Sequence, residues 1–185
     1  MRLVHSYVFP LRLVFLMWFI FAIGLILPFD LAILGIYPRS IIGLTGIVFA
    51  PLIHGDLVHL ISNSIPLLFL GTVLFFFYDQ IAKRVLIECY FLTNFLVWIF
   101  ARPSLHIGAS GLVYGIASFL IFFGLFRKDL KSILISLIIL LMYGGLIYGV
   151  LPQQEGISWE SHLLGGIVGI FTAFQMSKVR KVSSE

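Results

Sequence analysis

Gly108-Ala109-Ser110-Gly111-Leu112-Val113-Tyr114-Gly115-Ile116-Ala117-Ser118-Phe119-Leu120-Ile121-Phe122-Phe123-Gly124-Leu125-Phe126 reads as one apolar run long enough to cross a bilayer, with a serine between glycines at its mouth. A hydroxyl nucleophile needs space for a substrate carbonyl, and glycine neighbours provide it by carrying no side chain. Ser110 is therefore a candidate nucleophile, with Gly108 and Gly111 clearing room around it. Taken alone, the same residues describe more readily a small-residue patch on which two membrane helices approach closely. The rest of the chain separates the two readings.

Composition sets the class. Of 185 residues, 61% are hydrophobic and only 11% charged, with a mean hydropathy of +1.12. No ordinary soluble domain has that balance, so the chain is expected to be an all-α integral membrane protein of one domain, residues 1–185. A net charge of +4 does not point to nucleic acid, because the basic residues sit in small groups beside apolar runs, as membrane anchoring requires. Cys89 is the single cysteine, which rules out an intramolecular disulfide.

Six apolar runs are predicted to span the membrane: residues 13–29, 57–78, 85–101, 109–126, 133–150 and 161–176. The first is longer than a signal-peptide core and lacks a small-x-small cleavage site. Residues 30–56 contain Pro38, Gly43, Gly46 and Pro51 and are too broken for a clean span, yet too apolar for an ordinary loop. They are expected to lie partly in the membrane interface. With six spans, Arg2, Arg12, Lys83, Arg84, Arg127, Lys128, Lys131, Lys178, Arg180 and Lys181 share one side, leaving Arg39 and Arg102 opposite. The positive-inside bias then places both termini in the cytoplasm.

In that topology the second, fourth and sixth spans all begin at the outer face, and the unusual polar residues gather there. His59 and Asn63 are four apart on one helix face, as are Ser110 and Tyr114, and His162 opens the sixth span. Polar groups at one level on three helices suggest a water-filled cavity, since otherwise they are costly in lipid. A serine hydroxyl needs a base, and a neutral imidazole can take its proton; His162 is the best-placed base. Gly165, Gly166 and Gly169 behind it offer a smooth face for Gly111 and Gly115. Glu160, two residues away, would face elsewhere on a helix, so a Ser–His dyad is preferred to a triad. His59, the Asn63 amide and the Ser110 N–H are candidate oxyanion donors.

Two other chemistries fail on spacing. His54, Asp56 and His59 do not form a helical metal site, because residues five apart diverge on a helix, and there is no HExxH pair. No metal or cofactor is expected. Gly108-Ala109-Ser110-Gly111 is not the GxSxG elbow, which follows a strand.

His59-x-x-x-Asn63, Gly108-Ala109-Ser110-Gly111 with Tyr114, and His162 followed by small residues, in this order, resemble the rhomboid family of six-helix intramembrane serine proteases. The resemblance covers roughly residues 43–172. It implies a rhomboid-like bundle, Ser110 as nucleophile, His162 as base, His59 and Asn63 as oxyanion contributors, and Tyr114 packed on the His162 ring. His54-Gly55 resembles the histidine and glycine that enter the family's second helix, while His106-Ile107 and Tyr143-Gly144-Gly145 resemble a compact bacterial branch, which implies residence in the bacterial cell membrane. Thr45-Gly46 stands where the family often has a Trp-Arg pair in its first loop. The implied activity is endoproteolysis of membrane-anchored proteins within or near their transmembrane segments, with no nucleic-acid partner. A catalytically silent relative that binds client helices would typically lack the serine or the histidine, and both are present. A small transporter would show inverted-repeat halves and a midplane polar site, and neither is evident.

Overall fold

The computed structural model describes residues 2–152 and 158–178. Arg180 and Lys181 of the last basic group lie outside them. Helices α1 (Arg2–Gly24), α2 (Gly46–Phe49, a single turn), α3 (Leu57–Phe77), α4 (Asp79–Phe100), α5 (Ser110–Arg127), α6 (Leu130–Tyr143) and α7 (Trp159–Ser177) make up the chain. The one β feature among the described residues is an isolated bridge between Ile36 and His106. The fold is all-α, and each of the six predicted spans overlaps a different helix, α1 or one of α3 to α7. Four stretches are long and apolar enough to cross a membrane: Ser6–Gly24, Leu57–Phe77, Ser110–Arg127 and Leu130–Val150. α4 and α7 are comparably long but carry Lys83, Arg84 and Glu88, or Glu160 and His162, toward one end.

Helix ends depart from the apolar runs for local reasons. α1 stops at Gly24 rather than continuing to residue 29, because Pro28 lacks a backbone donor and disfavours a helical Leu27. It also begins well before residue 13, as α4 begins at Asp79 rather than at 85: backbone hydrogen bonding continues past the point where apolarity ends. The fifth run divides at Tyr143 into α6 and a 3₁₀ segment, Gly144–Val150, consistent with the poor helix propensity of Gly144-Gly145. Asp56 and Asp129 set the starts of α3 and α6 by accepting the His59 and Ser132 amides at 2.8 and 3.0 Å. Such caps contribute about 0.5–2 kcal/mol each.

α5 is the central helix. Eleven of its eighteen residues are buried, and Ile116, Phe119, Leu120 and Phe123 are fully so. Its closest partner is α7, and the contact is backbone on backbone. A Cβ at Gly165 would lie 2.1 Å from the Gly111 carbonyl oxygen, and one at Gly169 would lie 2.1 Å from that of Gly115. The small residues that read as a packing patch do pack two helices, and they do so directly behind Ser110 and His162. α1 closes on α3 through a different contact, with Gly71 against the Pro10 ring.

The first loop is tied to the end of α4 without the Trp-Arg pair. Arg39 Nη1 donates to the Ile99 and Ala101 carbonyls, both at 2.9 Å, which are otherwise unpaired at a helix C-terminus. Trp98 Nε1 donates back to the Ser40 carbonyl at 2.9 Å. Farther along, the Tyr90 hydroxyl and the Asn94 amide donate to the Val48 and Ile47 carbonyls. Arg39 and Trp98 thus brace the first loop against the end of α4.

Candidate active site

Ser110 is the first residue of α5, so its backbone N–H has no acceptor one turn back and points out of the helix end with the positive pole of the dipole. The approach to it is shaped by Gly108, whose φ of +101° suits glycine alone. A Cβ there would also stand 2.5 Å from His59 Nε2. The imidazole of His59 therefore lies directly over the peptide leading into Ser110. Gly111 is equally confined, since a Cβ would meet Thr93 and the Ser161 carbonyl at 3.0 and 3.1 Å.

Ser110, His59, Asn63, Tyr114 and His162 all line one cavity of about 640 Å³. The structure thus brings together every polar residue that the sequence singles out for chemistry. Asn63 is buried, and its Nδ2 donates to the His59 carbonyl at 2.9 Å; an amide nitrogen has two hydrogens, so one remains for another acceptor. Tyr114 stacks on His162 with ring centroids 4.2 Å apart and planes within 4°.

His162 Nδ1 lies 2.8 Å from the Gly149 carbonyl oxygen. A carbonyl can only accept, so this contact requires hydrogen on Nδ1 and leaves Nε2 as the lone-pair nitrogen of the neutral ring. That is the tautomer a general base needs, and the ring is oriented by a main-chain oxygen. Sequence inspection misses Gly149 because the group that acts belongs to the backbone. Its one signal is a glycine with no room for a side chain: a Cβ at 149 would be 1.9 Å from the Tyr114 hydroxyl and 3.2 Å from His162 Nδ1.

His54 corrects the expected divergence from His59. It precedes the capping Asp56 and is not on α3, so the helical angle does not apply; the two rings meet edge to face at 4.9 Å. Burial, followed by the neighbouring His59, pushes the His54 pKa down to about 4. His54 is accordingly neutral at pH 7 and adds no charge beside His59.

Glu160 lies 3.4 Å from Arg102 Nε, whereas the His162 ring nitrogen Nδ1 is paired with the Gly149 carbonyl. His106, buried beside the loop that enters α5, sits 2.6 Å from the Ser158 hydroxyl and 3.1 Å from the Arg102 carbonyl. Among the described residues no group of three or more His, Cys, Asp or Glu side chains is arranged to hold a metal ion.

Residues 42–179 match the Rhomboid domain family. An uncharacterized protein of Mycobacterium bovis is 37% identical over 152 residues, an alignment that covers 77% of this chain and 63% of the relative. An uncharacterized protein of Mycobacterium tuberculosis matches by the same margins. One of Mycobacterium leprae is 38% identical over 151 residues, or 72% of this chain and 57% of the relative. The chain thus spans less than two thirds of the length of these curated relatives. With a domain match over most of its length and an all-α architecture of apolar helices, this integral membrane protein belongs to the rhomboid family, whose members are generally intramembrane serine proteases.

Proposed function

We propose that this chain is a serine endopeptidase acting on transmembrane proteins in the bilayer, with Ser110 as nucleophile and His162 as general base. The observation that carries the reading is the Gly149–His162 contact, because it fixes a bare Nε2 on a histidine lining the same cavity as Ser110. In the proposed reaction Nε2 takes the Ser110 proton as Oγ attacks the substrate carbonyl, then returns it to the leaving amine. Water repeats the sequence on the acyl-enzyme. The developing oxyanion is stabilised by the Ser110 N–H, the remaining Asn63 Nδ2–H and His59. Tyr114 holds the His162 ring by stacking, and the glycines at 108 and 111 leave room for the substrate backbone. Substrate helices must unwind locally, since a regular helix keeps its carbonyls in hydrogen bonds.

The test is cleavage of a transmembrane reporter by the purified chain in liposomes. Wild type is expected to cleave at a defined site near the end of the reporter helix, and absence of any cleavage across reporters with small residues at that position would overturn the reading. In the same assay His59→Ala and Asn63→Ala are each expected to lower kcat by about 10² to 10³-fold, the usual effect of losing one oxyanion donor. Rates within twofold of wild type for both would remove them from the oxyanion site.

We also place the chain as one domain in the bacterial cell membrane with both termini cytoplasmic and the cavity at the outer face. Reporter fusions after Lys131 and at the C-terminus are expected to read as cytoplasmic, and an insertion at Ser104 as external. A cytoplasmic Ser104 would reverse the orientation.

A further inference from the structure

The loop that delivers Ser110 and the turn that delivers His162 are joined by side chains outside the proposed catalytic set. His106 stands four residues before Ser110, is 2% exposed, and is fixed from behind by two backbone hydrogen bonds with Ile36, both 2.9 Å. Its Nε2 lies 3.1 Å from the Arg102 carbonyl oxygen and its Nδ1 2.6 Å from the Ser158 hydroxyl, which in turn lies 2.6 Å from the Ser161 hydroxyl. The carbonyl can only accept, so Nε2 carries the hydrogen and Nδ1 accepts from Ser158. Ser158 Oγ then accepts from Ser161. The result is a directed chain, Ser161 to Ser158 to His106 to the Arg102 carbonyl, in which each donor has an acceptor; such networks are stiff because every link polarises the next.

Both ends of this chain are adjacent to chemistry. Ser161 immediately precedes His162, and its side chain packs beside Gly111; the Ser158 carbonyl also accepts the amides of Ser161 and His162 at 3.1 and 3.4 Å, closing the first turn of α7. Arg102 and Glu160 tie the same two segments a second time, since the Arg102 amide and Nε both approach Glu160 Oε1 at 3.4 Å. Behind the site the helices are held by close glycine packing, Gly165 against Gly111 and Gly169 against Gly115. At its mouth, the hydrogen-bond chain fixes their register.

We infer that the His106–Ser158–Ser161 chain is a clasp that holds Ser110 and His162 in alignment, which makes His106 and Ser158 positioning residues for the reaction. The inference rests on the serine-protease reading. It predicts that loosening the clasp affects turnover rather than substrate affinity, because misplacement of reacting groups by about 1 Å can cost on the order of 10²-fold in rate.

The test compares Ser158→Ala and Ser158→Thr with wild type in liposomes, reading kcat and KM separately. Ser158→Ala is expected to lose about 10- to 100-fold in kcat with KM within twofold, and Ser158→Thr, which keeps the hydroxyl, to recover most of the loss. Wild-type kcat in Ser158→Ala, an effect on KM alone, or equal defects in the Ala and Thr variants would overturn the clasp. Nitrogen-15 NMR of the His106 ring in the wild-type chain supplies a readout independent of activity: the clasp requires the Nε2–H tautomer, and an Nδ1–H tautomer would contradict it. A wild type that neither cleaves nor reacts with a serine probe would defeat the protease reading instead, while leaving the tautomer result to decide the clasp.

Discussion

Ser110→Ala is expected to reduce reporter cleavage below detection, and His162→Ala to do the same, while both variants insert and fold. In an established serine protease, loss of the nucleophile or its base lowers kcat on the order of 10⁶-fold. An equivalent loss here leaves no measurable product. Ser110→Ala removes one oxygen from a half-buried position, so its thermal midpoint in detergent is expected to match wild type. His162→Ala removes a ring stacked on Tyr114, and a modest fall in midpoint is expected alongside the lost activity. Cleavage by purified Ser110→Ala near the wild-type rate would eliminate the mechanism.

The second large effect concerns stability. Gly165→Ala places a Cβ where the Gly111 carbonyl oxygen is only 2.1 Å away; this neighbour is backbone and cannot rotate aside. Overpacking of a close-packed interior costs about 1–3 kcal/mol, and at about 2–4 °C per kcal/mol for a chain of this size the midpoint is expected to fall by roughly 2–12 °C. Activity is expected to fall with it, because the displaced helices are those carrying Ser110 and His162. Gly145→Ala is the control, since a Cβ there meets nothing within 4 Å. Equal midpoints for the two variants would refute the account of α5–α7 packing.

The residues that reveal this protein in its sequence are those whose presence in an apolar chain demands a reason. Ser110, His162, His59 and Asn63 are polar groups at the ends of three long apolar runs, and the cost of leaving them unpaired in lipid identifies them as a cluster before any contact is known. The glycines at 165 and 169 are legible for the same kind of reason: their spacing places bare backbone on one helix face.

Groups that act through the main chain or across loops leave no such signal. The Gly149 carbonyl belongs to a residue with no side chain, thirteen positions from the histidine it orients. Arg39 and Trp98 brace the first loop at 2.9 Å from partners roughly sixty residues away, where no periodicity links them. His54 and His59 are read as divergent only if both are helical, and Asp56 caps the helix between them. Local rules set helix ends and faces; long-range hydrogen bonds are decided by the folded chain.

The central claim is that Ser110 is a nucleophile activated by His162. A fluorophosphonate probe, which bonds covalently to activated serine hydroxyls, reports on this without a substrate. Mass spectrometry of the purified, reconstituted chain is predicted to find the adduct on Ser110, with labelling absent in Ser110→Ala and strongly slowed in His162→Ala. Labelling that persists undiminished in Ser110→Ala, or that proceeds at the wild-type rate in His162→Ala, would contradict it.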